Sequence, residues 1–164
     1  MDKDLSTSAM VVLNACRARG LKVATAESCS GGLVAGALTD IAGSSDVFDR
    51  GFVTYSNEAK QQMLGVPLST LQEHGAVSRQ TAEAMARGAL GAANAELVVA
   101  ITGIAGPGGG SPDKPVGLVH FAAASRSGKL MHAEMRYGDV GRAEVRRRSV
   151  LQALTMLRTL AEGR

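Results

Sequence analysis

The chain has 164 residues, of which 45% are hydrophobic and 20% charged, and its formal net charge is +3. This length and composition are typical of one domain with its own core, and we expect residues 1–164 to form it alone. No segment reaches the roughly 20 apolar residues that cross a bilayer, which excludes a membrane partner, and the scarcity of aromatic side chains argues against a nucleic-acid partner.

The N-terminal sequence MDKD is acidic and leads straight into a helical pattern. It lacks the basic segment and long apolar stretch of a secretory signal, which predicts a cytoplasmic protein. An apolar stripe over residues 9–16 predicts a first helix that buries Cys16 and ends at Gly20. Residues 21–26 then read as a short strand, and the segment ESCSGG at 27–32 leads from it into a second helix.

The middle of the chain continues this alternation of strands and helices. Residues 51–55 read as a strand, and the residues after them begin a helix that carries Lys60. Ser69 has capping-box spacing for a short helix, and Ser78 is expected to cap a long alanine-rich helix.

The last third of the chain holds the clearest strand. Residues 96–102 form a nearly continuous β-branched run, as in strands buried on both faces of a sheet, and lead directly into a glycine-rich segment at 103–110. Residues 116–124 and 130–137 are joined by a hairpin-like connection, so we expect an antiparallel pair before a C-terminal helix. The order βαβα followed by a strand pair predicts a three-layer α/β/α sandwich with a mixed, mostly parallel β-sheet.

Ser28 lies at the first strand-to-helix turn, where a catalytic nucleophile and an ordinary helix cap are both reasonable. The unpaired N–H groups at a helix start attract an anion or the oxyanion of an acyl-transfer intermediate. Glycines at positions 31 and 32 would let a substrate approach the backbone closely. A serine at this position, considered alone, is more often an N-cap.

A nucleophilic serine needs a base, and the three histidines lie beside a turn or within late strands. Lys60 is the alternative base, because it follows a strand that we expect beside the Ser28 strand and because burial lowers the pKa of a lysine. Tyr55, at the end of the preceding strand, is placed to relay a proton or to orient the lysine. The competing interpretations are a solvated Lys60 and a structural Tyr55.

Other chemistries find less support in the sequence. Cys29 at a helix start is an alternative thiol nucleophile, but no histidine is clearly available to activate it. The glycine-rich segment offers backbone N–H groups to a phosphate or a ribose, yet it is neither a Walker loop nor a dinucleotide fingerprint. Since HExxH, paired-histidine and calcium-loop motifs are all missing, we expect neither a metal nor a cofactor.

Three motifs in a fixed order carry a resemblance to a known family. They are TAESCSGG at 25–32, RGFVTYSNEAK at 50–60 and ITGIAGP at 101–107, with HGAVS at 74–78 and KPVG at 114–117 in support. Together they span nearly the whole chain. In this order they resemble the nicotinamide-nucleotide amidohydrolase family, which is also the C-terminal domain of CinA competence/damage-inducible proteins.

The resemblance implies deamidation of nicotinamide mononucleotide, a small-molecule pyridine nucleotide, to nicotinic acid mononucleotide and ammonia, a step of pyridine nucleotide salvage. Carried over by motif, Ser28 is the nucleophile, Lys60 its base and Tyr55 an assisting residue. The substrate is expected to lie against two loops. Their residues are Ser30, Gly31 and Gly32 in the first loop, and Thr102, Gly103, Ala105, Gly106, Pro107 and Gly108 in the second.

The chain departs from the family pattern at two places. It has Ser30 where the family often has threonine, and its segment GDVGR at 138–142 is longer than the GDR-like version of many members. For that reason Arg142 and Arg146 are not assigned to the site, and their arginine cluster is interpreted as a solvated helix face or a contact in a homo-oligomer. The alternative function is a non-catalytic nucleotide-binding or regulatory domain.

Overall fold

A computed structural model describes residues 2–163, and the expected domain limits at residues 1 and 164 lie just outside them. The helices are α1 (Lys3–Arg19), α2 (Leu33–Thr39), α3 (Asn57–Leu64), α4 (Leu68–His74), α5 (Arg79–Ala92) and α6 (Arg142–Ala161), with a short 3-10 turn at Ser44–Asp46. The strands are β1 (Val23–Glu27), β2 (Phe48–Val53), β3 (Leu97–Gly103), β4 (Leu118–Ser125) and β5 (Leu130–Arg136). None of these helices is both long and apolar enough to span a membrane.

The five strands of residues 2–163 lie in one sheet, in the order β2-β1-β3-β4-β5. β1 pairs in parallel with β2 and with β3, while β4 runs antiparallel to β3 and to β5. In this described range, every strand except β4 therefore points the same way. Helices α1, α2 and α6 pack on one face and α3, α4 and α5 on the other. The predicted three-layer sandwich with a mixed, mostly parallel sheet is confirmed.

The two cores follow from the alternation of side chains along the central strands. In β3, Val99 and Ile101 point toward α1 and α6, whereas Val98 and Ala100 point toward α5. The side chains that β1 and β4 present to α5 are alanines for the most part, so this helix packs close to the sheet.

Most predicted elements form near their predicted bounds, and the differences have local causes. α1 ends at Gly20, which adopts a φ of 65° as expected of a C-terminal glycine. α4 is preceded by Pro67, and Ser69 lies inside the helix instead of capping it, because proline already supplies a φ that suits a helix start. The predicted C-terminal helix is α6, which begins at Arg142 and carries in its first turns arginines that contact other elements.

The carboxyl ends of β1, β2 and β3 meet at one edge of the sheet. β1 lies between the other two, and the chain passes from β1 to β2 on one side before it returns to β3 on the other. Where the strand order reverses in this way, the loops that follow the neighbouring strands diverge and leave a crevice. Ser28 and Thr54 directly follow β1 and β2, and Thr102 lies near the end of β3.

Candidate active site

A cavity of about 190 Å³ opens in this crevice. Six of the predicted site residues line it, namely Ser28, Tyr55, Lys60, Thr102, Gly103 and Ala105. The other predicted residues, Ser30, Gly31, Gly32, Gly106, Pro107 and Gly108, belong to the flanking turns and do not line its wall. The fold thus brings the two predicted loops and the predicted lysine to one place.

Lys60 reaches the cavity from the first turn of α3. The hydroxyl of Ser56 accepts a hydrogen bond from the Ala59 N–H and fixes the start of this helix. The Lys60 side chain is only 1% exposed, so the interpretation of Lys60 as a solvated charge is wrong. Burial lowers its pKa from the ordinary lysine value, while the nearby Cys29 acts in the opposite direction.

Three oxygen atoms surround the Lys60 amine. Its Nζ lies 3.0 Å from Ser28 Oγ. The same atom lies 2.9 Å from the Thr54 carbonyl oxygen and 3.3 Å from the Tyr55 carbonyl oxygen. A neutral amine can donate its two N–H groups to the two carbonyls, which leaves its lone pair for the Ser28 hydroxyl. This arrangement suits proton transfer from the serine to the lysine.

Ser28 does not cap the helix that follows it. Glu27, with 0% exposure, carries the carboxylate that accepts hydrogen bonds from the N–H groups of Val34 and Ala35, at 2.9 and 3.0 Å. The N-cap position itself is Gly32, which has no side chain to contribute. The helix-cap interpretation of Ser28 is therefore wrong, and its hydroxyl is free to face Lys60.

The turn after Ser28 contains backbone donors for an oxyanion. The Gly31 N–H is used within the turn, because it donates to the Ser28 carbonyl at 3.0 Å. Within residues 2–163, the N–H groups of Ser30 and Gly32 have no hydrogen-bond partner. These two groups, in the turn that follows Ser28, are backbone donors of the kind that an acyl-transfer intermediate needs.

Cys29 is poorly suited to act as the nucleophile. Its side chain is 5% exposed, and burial raises the pKa of the thiol to about 12. Because the thiolate is the reactive form, a thiol that stays protonated near neutrality attacks slowly.

The Tyr55 hydroxyl contacts Arg142. The residue is 61% exposed, and its hydroxyl accepts a hydrogen bond from Arg142 Nη2 at 2.8 Å. Arg142 Nη1 also donates to the Gly106 carbonyl at 2.9 Å. Tyr55 therefore contacts Lys60 through its carbonyl, and the guanidinium of Arg142 joins the two loops across the cavity mouth.

Sequence reasoning missed two parts of this cavity. Arg142 lines it although the unusual length of the 138–142 segment kept this arginine off the expected site. Ala76 and Val77 also line it, and the Thr102 hydroxyl donates to the Ala76 carbonyl at 2.7 Å. The motif HGAVS was the available signal for the second part, although it carried no assigned role.

Comparison with known proteins gives consistent matches over nearly the whole chain. The model of the CinA C-terminal domain family matches residues 5–161. The nicotinamide-nucleotide amidohydrolase PncC of Escherichia coli (strain K12) is 54% identical over 157 residues, which are 95% of this chain and 94% of that protein. The protein of the same name from Enterobacter agglomerans is 48% identical over 96% of both chains. The crystal structure of competence/damage inducible protein CihA from Agrobacterium tumefaciens matches with a TM-score of 0.96 and 57% identity, covering 100% of this chain and 98% of that one.

Proposed function

This chain belongs to the CinA C-terminal domain family, and on that premise we propose that it hydrolyses the carboxamide of nicotinamide mononucleotide, with Ser28 as nucleophile and Lys60 as base. Its identity of about one half with two nicotinamide-nucleotide amidohydrolases, over nearly the full length of each, makes it a hydrolase of that type. The products of the proposed reaction are nicotinic acid mononucleotide and ammonia.

The observation that carries the mechanism is the buried contact of 3.0 Å between Lys60 Nζ and Ser28 Oγ. An exposed lysine is protonated near neutrality and has no lone pair to offer. Burial favours the neutral amine at Lys60, and the Thr54 and Tyr55 carbonyls orient it toward the serine.

In the first half of the reaction, Ser28 Oγ attacks the carboxamide carbon while its proton passes to Lys60 Nζ. The carbonyl oxygen of the substrate becomes an oxyanion, which the free N–H groups of the 29–32 turn stabilise. The carbon–nitrogen bond then breaks, and the Lys60 ammonium returns the proton to the leaving nitrogen. Ammonia departs and a nicotinoyl ester remains on Ser28.

In the second half, water attacks the ester and Lys60 again accepts a proton. The tetrahedral intermediate collapses with the Ser28 oxygen as leaving group, and Lys60 returns the proton to it. The acid product leaves and loses its remaining proton to solvent as the carboxylate, and both side chains regain their starting forms. The same buried amine thus serves as base and acid in turn.

The phosphate of the nucleotide is proposed to lie near the second loop and Arg142. That arginine uses two of its five N–H groups on Tyr55 and Gly106, so three remain for an anion. Thr102, Gly103 and Ala105 form the adjoining wall against which the ribose would pack.

The test is ammonia release from nicotinamide mononucleotide, measured with a chelator present, by the wild type and by Ser28→Ala, Lys60→Ala and Lys22→Ala proteins. Lys22 is an exposed lysine away from the cavity and serves as the matched control. We expect release by the wild type and the Lys22 variant, and a loss of at least about a thousandfold in the other two.

Folded wild-type protein that binds the nucleotide without releasing ammonia would contradict the proposal and favour the non-catalytic binding domain. Full activity of the Lys60 variant would exclude the lysine as base. Loss of activity on thiol modification, with the Lys60 variant still active, would instead support the Cys29 mechanism.

A further inference from the structure

We propose that Arg146 is a positioning residue for this reaction, because it holds the carbonyls of Cys29 and Ser30 so that the Ser30 N–H points toward the developing oxyanion. This inference rests on the proposed serine mechanism. It concerns an arginine that does not line the cavity and that reaches the nucleophile turn from α6, which lies on the face of the sheet opposite α3 and Lys60.

The contacts come from the second turn of α6. Arg146 Nε donates to the Cys29 carbonyl at 3.2 Å, and its Nη2 donates to the Ser30 carbonyl at 3.4 Å. One guanidinium therefore contacts two successive peptide groups. The Arg146 side chain is half-buried. Arginine suits this task because its donors lie in one rigid plane.

Because the peptide bond is planar and trans, a hydrogen bond to the Cys29 carbonyl also fixes the direction of the Ser30 N–H. In a planar trans peptide, the C=O and the N–H of the next residue point in opposite directions. Arg146 holds the Cys29 C=O, so the Ser30 N–H must point away from α6. That N–H has no hydrogen-bond partner within residues 2–163. It is thus both free and oriented, which is what an oxyanion donor requires.

Gly31 is needed for this approach. It adopts a φ of 60°, and a Cβ added there would lie 2.9 Å from Arg146 Nη2. A side chain at this position would strain the backbone and displace the guanidinium. The first glycine of the ESCSGG segment is thereby explained by the arginine and the turn together.

Two charged side chains hold the nucleophile turn at different points. Glu27 binds the N–H groups of Val34 and Ala35 on its far side, while Arg146 binds the carbonyls in its middle. The Gly31 N–H is already bonded to the Ser28 carbonyl, so the peptide group between Ser30 and Gly31 has little freedom to rotate. Among the residues described, Arg146 makes the only side-chain hydrogen bonds to the Cys29 and Ser30 carbonyls, so removal of its guanidinium frees both peptide groups.

The experiment compares Arg146→Met and Arg146→Lys with Arg148→Met, a control on the same helix whose side chain bonds Glu144 instead. We expect kcat to fall about 10- to 100-fold in both Arg146 variants, with KM within about twofold of the wild type, because the donor acts in the transition state. Lysine keeps the charge but cannot contact both carbonyls, so it should not restore the rate. Added guanidinium should restore part of the activity of Arg146→Met.

A second readout needs no turnover. In ¹⁵N-labelled protein, the Ser30 and Gly31 amide signals should shift in both Arg146 variants and stay unchanged in Arg148→Met. Unmoved Ser30 signals, or a rise in KM with kcat intact, would overturn the positioning role. If the wild type leaves nicotinamide mononucleotide unchanged while the Ser30 and Gly31 signals still shift in the Arg146 variants, the proposed reaction is rejected. Arg146 would then still orient the turn.

Discussion

At the scale of single residues, the Lys60 amine has exchanged water for three protein oxygen atoms. Two of them are carbonyls that can only accept hydrogen bonds, and the third is the Ser28 hydroxyl, which can donate. The backbone thus selects which atom the lone pair of the amine faces, while burial selects the neutral form. Neither effect requires a charged partner for the lysine.

The pH dependence of kcat/KM should report this titration. The active form is the neutral amine, and its pKa is lowered, so kcat/KM should rise with pH and level off through an inflection below the ordinary lysine value of 10.5. His120 also has a lowered pKa through burial, and His120→Gln is the control that should leave the inflection in place. A profile that falls with rising pH, or an inflection that moves in His120→Gln, would contradict Lys60 as the base.

At the scale of secondary-structure elements, the start of α2 depends on Glu27, which lies before the nucleophile turn and outside the helix. Gly32 at the N-cap offers no side chain, and the carboxylate of Glu27 reaches over the nucleophile turn to bind the Val34 and Ala35 N–H groups. A buried carboxylate is tolerable here because two N–H groups at a helix start compensate its charge. The cap and the nucleophile are therefore separate side chains on adjacent residues.

Glu27→Gln should lower the free energy of unfolding by about 1–3 kcal/mol, because an amide replaces one acceptor oxygen with a donor that faces the helix N–H groups. The matched control is Glu58→Gln, an exposed glutamate in the first turn of α3, with an expected change within about 0.5 kcal/mol. Urea denaturation of both variants measures the difference. Equal stabilities would show that the buried carboxylate does not hold α2.

The sequence predicted those parts of the site that local patterns encode. Ser28 and Lys60 follow strands of a parallel sheet, so their meeting at one edge could be expected from element order. Arg146 could not be placed in this way, because its partner Cys29 lies 117 residues away and no periodicity links a helix arginine to a turn carbonyl. Glu27 was missed for a similar reason, since a charged residue ending a strand gives no sign that it is buried.

At the scale of the whole molecule, the position of Lys60 depends on how two helices of one layer pack. α3 carries the lysine and lies against α5, and Gly88 of α5 faces Leu64 at the end of α3. A Cβ added to Gly88 would lie 1.8 Å from the Leu64 carbonyl oxygen, at the end of α3. Backbone cannot yield as a flexible side chain can, so any side chain at Gly88 must move one helix away from the other.

Gly88→Ala should therefore lower both stability and activity, although alanine is the better helix former. Overpacking of this kind costs about 1–3 kcal/mol, and a displaced α3 carries Lys60 away from Ser28. Gly91→Ala is the control on the same helix, because a Cβ there meets nothing within 4 Å and should stabilise the protein by up to about 1 kcal/mol with its activity intact. Thermal unfolding and ammonia release, measured on both variants, test these two expectations. A stable, active Gly88→Ala would show that α3 is not held in place by its contact with α5.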